Sequence, residues 1–311
     1  MRSVQTILAI ALCAIAATAS GEPVMHVPSV IGSHMVLQRQ TAAAIWGWDK
    51  PGQAVTIHFR GNNVTATTDE DGRFLARVPT GRAGGPFMLR IAGSETRRFN
   101  DVMVGEVWLA GGQSNMWWRV RHSKNYAAEV AAAIERTSIR FYDGNTSAKE
   151  AGWRAEEPKR DIPNAAWQRP TARTVPEWAA TAYFFARDLH AALDVPVGIV
   201  HIAVPGSKIQ PFMSSRETAD RLPGIWAAHQ ATVARYPERL KAYEERLKGW
   251  REAGKEGKKP KPPKDPKYDL FRNGLVRPVA PFTVKGVIWW QGESNAREPD
   301  AYAKLLPELV R

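Results

Sequence analysis

From Val104 onward, short apolar runs of strand length alternate with helical stretches, and this alternation restricts the fold more than any other feature of the chain. Val107-Trp-Leu-Ala110 is an apolar run that enters a glycine-rich turn. A helical stretch over about 126–136 and the strand Ile139-Arg-Phe-Tyr142 follow. Residues 176–193 predict a long helix, with Pro176 and Glu177 in its first turn. Val197-Gly-Ile-Val-His-Ile202 and Val284-Lys-Gly-Val-Ile-Trp-Trp290 are the next apolar runs. This order predicts a parallel sheet with helices on both faces and a site at the carboxyl ends of its strands. Ser114, Gly206 and Asn295 each follow such an end.

The preceding region, 24–103, reads differently. Runs at 44–48, 54–59, 63–67 and 87–91 are rich in β-branched and aromatic residues and are separated by turn signals such as Lys50-Pro-Gly52 and Asp69-Glu-Asp-Gly72. They predict a small antiparallel β-sandwich ahead of the α/β domain at 104–311. At the N-terminus, Arg2, the apolar run Ile7 to Ala17 and the small residues of Ala17-Thr18-Ala19 form the pattern of a secretory signal peptide over 1–19. The expected location is secreted or periplasmic, with no membrane insertion after cleavage, because that run is too short to span a bilayer.

Cys13 is the only cysteine, so cleavage leaves none and excludes disulfides, a thiol nucleophile and a cysteine-ligated metal. The net charge of +12 raises the question of nucleic acid. Half of it comes from 239–267, a stretch with 11 basic and 5 acidic residues that reads as a polar helix and a Lys/Pro-rich insertion. No nucleic-acid motif accompanies it, so a solvated face is expected and no nucleic-acid partner.

Three motifs carry chemistry. In Gly111-Gly-Gln-Ser-Asn-Met116 the serine sits on a tight turn after a strand, where its hydroxyl is exposed and its N–H can help bind an oxyanion. Taken alone, the motif serves equally well as a helix cap. Ala203-Val-Pro-Gly-Ser207 places Gly206 after a second strand, and Trp289-Trp-Gln-Gly-Glu-Ser-Asn295 places a side-chain amide after a third. Two backbone donors and an amide around a serine would make an oxyanion hole.

Taken together, these blocks resemble the sialate O-acetylesterase-like branch of the SGNH hydrolases. The resemblance also runs through His34-Met-Val-Leu-Gln-Arg39, Trp46-Gly-Trp-Asp-Lys-Pro-Gly52, Tyr183-Phe-Phe-Ala-Arg-Asp-Leu189 and Asn273-Gly-Leu275. It implies a flavodoxin-like three-layer hydrolase domain, acetylated sugars or glycans as substrates, and no cofactor or metal. Ser114 matches the nucleophile, and Gly206 and Asn295 match the oxyanion-hole residues. One block departs from the family, which usually has a Trp-Gly-Gly-Thr-like sequence where this chain has Val204-Pro-Gly-Ser207; Pro205 restrains that loop. The family's catalytic Asp and His, in an Asp-x-x-His arrangement, are expected beyond Arg311. So is the fifth strand of a sheet ordered 2-1-3-4-5, which leaves the 284–290 strand as an apolar edge. Within the chain, Asp188-Leu-His190 is a decoy inside a helix, and His201 lies in a buried strand. The implied activity is a sialate O-acetylesterase acting through an acyl-enzyme on Ser114. Its rivals are an acetylesterase of xylan or another plant polysaccharide, and an inactive carbohydrate-binding relative.

Overall fold

A computed structural model of the chain describes residues 25–144, 153–263 and 265–311. The signal-peptide expectation for 1–19 lies outside the described residues. The strands are β1 (Val36–Gln38), β2 (Ala42–Trp48), β3 (Ala54–Phe59), β4 (Asn62–Thr67), β5 (Arg73–Pro79), β6 (Gly84–Ala92), β7 (Thr96–Gly112), β8 (Ile139–Asp143), β9 (Trp167–Gln168), β10 (Val197–Ala203) and β11 (Gly286–Trp290). The helices that matter for the site are α1 (Ser114–Trp117), α2 (Tyr126–Glu135), α3 (Ala180–Leu193), α4 (Ser215–Arg221), α5 (Pro223–Ala234), α6 (Tyr236–Glu252) and α7 (Pro299–Val310).

The spine of the molecule is β7. Its first half pairs antiparallel with β6, which continues to β3 and β4, while its second half pairs in parallel with β10 and β11. The run Val107–Ala110 is therefore the inner part of a 17-residue strand that belongs to both sheets. Two features modify the expected antiparallel sandwich. β1 pairs with β7 in parallel, Val36 opposite Met103, and β2 and β5 form a separate antiparallel pair. β5 carries no clear strand signal in the sequence, because Leu75 interrupts its alternation. Phe74, Ala76 and Val78 face inward, whereas Leu75 is exposed.

The parallel sheet runs β8-β10-β7-β11, which is 2-3-1-4 in chain order rather than the start of 2-1-3-4-5. The absence of side chains at Gly111 and Gly112 explains how β11 seats against β7. A Cβ on Gly112, whose φ is +141°, would lie 2.1 Å from the Trp290 carbonyl oxygen. Among the described strands β11 pairs with β7 alone, and it leaves Val287 and Trp290 about half exposed, so it is an apolar edge.

Side chains of β10 alternate between two cores, as a strand's period of two requires. Val197 and Ile199 face the cluster of Met116, Val120, Phe141, Trp178 and Tyr183, which α3 covers. Val200 and Ile202 enter a core shared with Trp46, Phe74, Trp167, Phe271 and Phe282. One continuous core thus joins the N-terminal strands to the parallel sheet. The helix expected from Pro176 starts later, at Ala180, after a short 3-10 turn. The intervening backbone is taken by a bridge to the segment after the serine: Val120 N–H donates to the Trp178 carbonyl and Ala180 N–H to that of Trp118. The basic stretch forms α6, which buries no residue, followed by extended chain.

Candidate active site

The registers place the three motif-bearing loops side by side. Gly112, the last residue of β7, is level with Ala203, the last of β10, and with Trp290, the last of β11. Val204 N–H donates to the Gly112 carbonyl and Gln113 N–H to that of Trp290, both at 2.9 Å. Ser114 then opens α1, exposed to solvent, and its own N–H is one of the first-turn donors that no helical carbonyl can reach. Gly206 stands in the next loop with φ +69°, a conformation that glycine adopts without strain. Asn295 ends a short 3-10 turn and is 1% exposed.

The amide of Asn295 ties these loops together. Its Oδ1 accepts from Ile209 N–H at 3.0 Å and from Gln291 Nε2 at 2.9 Å, and its Nδ2 donates to Gln210 Oε1 at 3.0 Å. Among the described residues the second amide hydrogen has no acceptor. Gln113, which the sequence reading did not single out, organises the other side. Its Oε1 accepts from Gln291 Nε2 at 3.2 Å, Ser294 N–H at 3.2 Å and Gly292 N–H at 3.4 Å. Asn115 Nδ2 also reaches Glu293 Oε1 at 2.5 Å. The polar residues flanking the serine thus grip the Asn295 loop, and the only signal for this in the sequence was that both blocks carry a glutamine among glycines.

Beside Gly206 opens a cavity of about 1310 Å³, walled by the 204–211 loop, α4, α5 and residues 265–271. Lys208, Arg239 and Lys304 line it, as do Trp153 and Tyr268. Burial lowers the His229 imidazole on this wall below the ordinary histidine value. Among the described residues no histidine is hydrogen-bonded to the Ser114 hydroxyl. His190 Nδ1 is bound to the Val195 carbonyl and Asp188 to Arg187, so the Asp188–His190 pair is engaged elsewhere. No group of three or more metal-ligating side chains forms among the described residues, and no described helix is long and apolar enough to cross a membrane.

A parallel sheet whose strand ends bring together a serine turn, a glycine turn and a buried amide has the layout of an esterase site. Comparison with known proteins supplies the class: a family model described as carbohydrate esterase, sialic acid-specific acetylesterase, matches residues 104–311. The chain is 28% identical to the sialate O-acetylesterase of Mus musculus across 91% of its own length and 54% of the mouse protein. It is 26% identical to that of Homo sapiens, across 91% and 51%. The solved structure of a carbohydrate acetylesterase from Xanthomonas citri superposes with a TM-score of 0.69 at 29% identity, covering 92% of this chain and 56% of that one. The chain belongs to the family of carbohydrate esterases that the sialic acid-specific acetylesterases define. It spans about half the length of the curated relatives it matches.

Proposed function

We propose that the protein removes O-acetyl groups from carbohydrates, with O-acetylated sialic acids as substrate, through an acyl-enzyme on Ser114. The observation that carries this is the common level at which β7, β10 and β11 end, which sets Ser114 next to the Gly206 and Asn295 loops. In this reading the Ser114 hydroxyl attacks the acetyl carbonyl carbon. The N–H groups of Ser114 and Gly206 and the free amide hydrogen of Asn295 receive the charge that develops on the oxygen. The alkoxide of the sugar leaves with a proton, and water then releases acetate. The general base is a histidine oriented by an aspartate, both beyond Arg311 in this proposal, since among the described residues no histidine is hydrogen-bonded to the Ser114 hydroxyl and buried His201 is held by Asp143 and the Met116 carbonyl. The cavity beside Gly206 is lined by Arg154, Lys208, Arg221, Arg239 and Lys304 against Asp265 and Glu298, and this excess of positive charge favours a sugar that carries a carboxylate. Export by the N-terminal segment is part of the same proposal.

The experiment compares the protein that includes the proposed C-terminal aspartate and histidine with its Ser114→Ala variant, on O-acetylated sialic acid and on acetylated xylan, following acetate release. Loss of release in the variant with unchanged melting supports the nucleophile, because Ser114 is exposed and its hydroxyl has no hydrogen-bond partner among the described residues. Faster release from xylan would move the substrate to plant polysaccharide. Equal rates for the wild type and the variant would leave a carbohydrate-binding protein as the reading.

A further inference from the structure

The short turn that carries Ser114 is held from beneath by a buried histidine. Nε2 of His201, on β10, lies 3.1 Å from the carbonyl oxygen of Met116, two residues after the serine. That carbonyl can only accept, so the contact is a hydrogen bond when Nε2 carries the hydrogen. His201 is 0% exposed. Its Nδ1 faces Oδ1 of Asp143, at the end of β8, at 3.0 Å. In the two-donor form of the ring both contacts are hydrogen bonds. The second carboxylate oxygen of Asp143 takes Nη1 of Arg119 at 2.9 Å, and the same nitrogen donates to the Glu177 carbonyl at 2.6 Å. The Arg119 guanidinium lies over the Trp117 ring, 4.5 Å from its centroid, and Phe141 packs against the imidazole.

Three titratable side chains are thus buried in a line that runs from β8 through β10 to α1 and the segment after it. Removing such groups from water costs several kcal/mol per ion, and an apolar trio of similar volume would often hold the fold as well. What an apolar trio cannot do is grip the backbone of α1 at a fixed distance from β10. Taking Ser114 as the nucleophile, we propose that His201, held by Asp143 and Arg119, is a positioning residue that fixes the Ser114 turn and so the aim of its hydroxyl.

The test uses the two amide residues that each mimic one ring nitrogen. His201→Gln keeps a donor near the Nε2 position and can still hold the Met116 carbonyl. His201→Asn keeps one near Nδ1 and can satisfy only Asp143. The protein that includes the proposed C-terminal aspartate and histidine, and both variants of it, are assayed on p-nitrophenyl acetate at a temperature where circular dichroism shows each folded. We expect the Gln variant to stay within about threefold of the wild-type kcat. The Asn variant should fall by about tenfold or more at unchanged KM, the scale on which a small misplacement of a reacting group acts. Equal kcat for the two variants, or losses that simply follow their melting temperatures, overturns the proposal. If either variant fails to fold, the ¹⁵N-labelled wild type decides. Long-range ¹H–¹⁵N spectra should show a hydrogen on Nε2 of His201, and a bare Nε2 overturns the proposal. A wild-type chain no faster than Ser114→Ala would instead remove the nucleophile assignment. The ring-nitrogen measurement would then still judge the strap.

Discussion

Replacing Gln113 with alanine removes the acceptor that joins the serine turn to the Asn295 loop. Gln113 is 5% exposed, and its Oε1 serves three donors. Gln291 Nε2 keeps the Ser207 carbonyl at 3.1 Å and Asn295 Oδ1 at 2.9 Å, so it is not orphaned. The N–H groups of Gly292 and Ser294 do lose their acceptor. Their bonds are long, at 3.4 and 3.2 Å, and the loop is only half-buried, so water can replace part of what is lost. Two partly compensated donors at the low end of the desolvation penalty come to about 2–3 kcal/mol. For a chain of this size that lowers the melting temperature by roughly 3–5 °C. The loop that carries Asn295 also loses its register with Ser114, so kcat should fall by about 10²-fold, the scale of one lost oxyanion donor. Thermal melting by circular dichroism reads the first effect, and acetyl-ester hydrolysis well below the transition reads the second. A shift below about 1 °C with kcat unchanged would refute the bridge, being smaller than the loss of even one buried acceptor.

Gly112→Ala puts a Cβ against the Trp290 carbonyl at a positive φ, and should cost more than about 4 kcal/mol or abolish soluble expression. An unchanged melt would mean that β11 does not seat there. Val287→Lys places a charge on the exposed apolar edge and should reduce self-association in sedimentation velocity with little change in melting; identical association would exonerate that edge. Burial alone would raise the Asp101 carboxyl, but the His34 hydrogen bond and the Arg140 cation outweigh it and hold the group below its ordinary value. A depressed carboxyl contributes stability above its unfolded pKa and loses it as pH falls through the folded one, that is, below about pH 4. The melting difference between wild type and Asp101→Asn should therefore shrink from pH 6 toward pH 3, and a constant difference would contradict the ion pair.

Much of the α/β half was legible because its strands are mostly apolar. Ile139–Tyr142 and Val197–Ile202 read as buried strands and lie within β8 and β10. That the loops carrying Ser114, Gly206 and Asn295 leave neighbouring strand ends was also legible, since each motif directly follows a strand. What the sequence concealed depends on contacts between distant segments. The order of the sheet turns on which strand can approach Gly111 and Gly112, and no periodicity encodes that. The late start of α3 reflects a bridge to residues 118–120, made by backbone atoms that every sequence shares. His201 read as part of a buried strand, which it is. That its ring faces Asp143 and Met116 emerges only when β8, β10 and α1 are assembled.

A strand that belongs to two sheets makes the N-terminal β region hard to exchange. The residues that pair with β1 and β6 are covalently continuous with those that end at the serine turn, with no linker between them. An engineer who swapped the first hundred residues for an unrelated β module would have to match strand twist and register through Val104. Failing that, the error would pass along one stiff backbone to the nucleophile. Insertions are better tolerated at the exposed α6 stretch, where the chain already carries extra charge and packs nothing into the core.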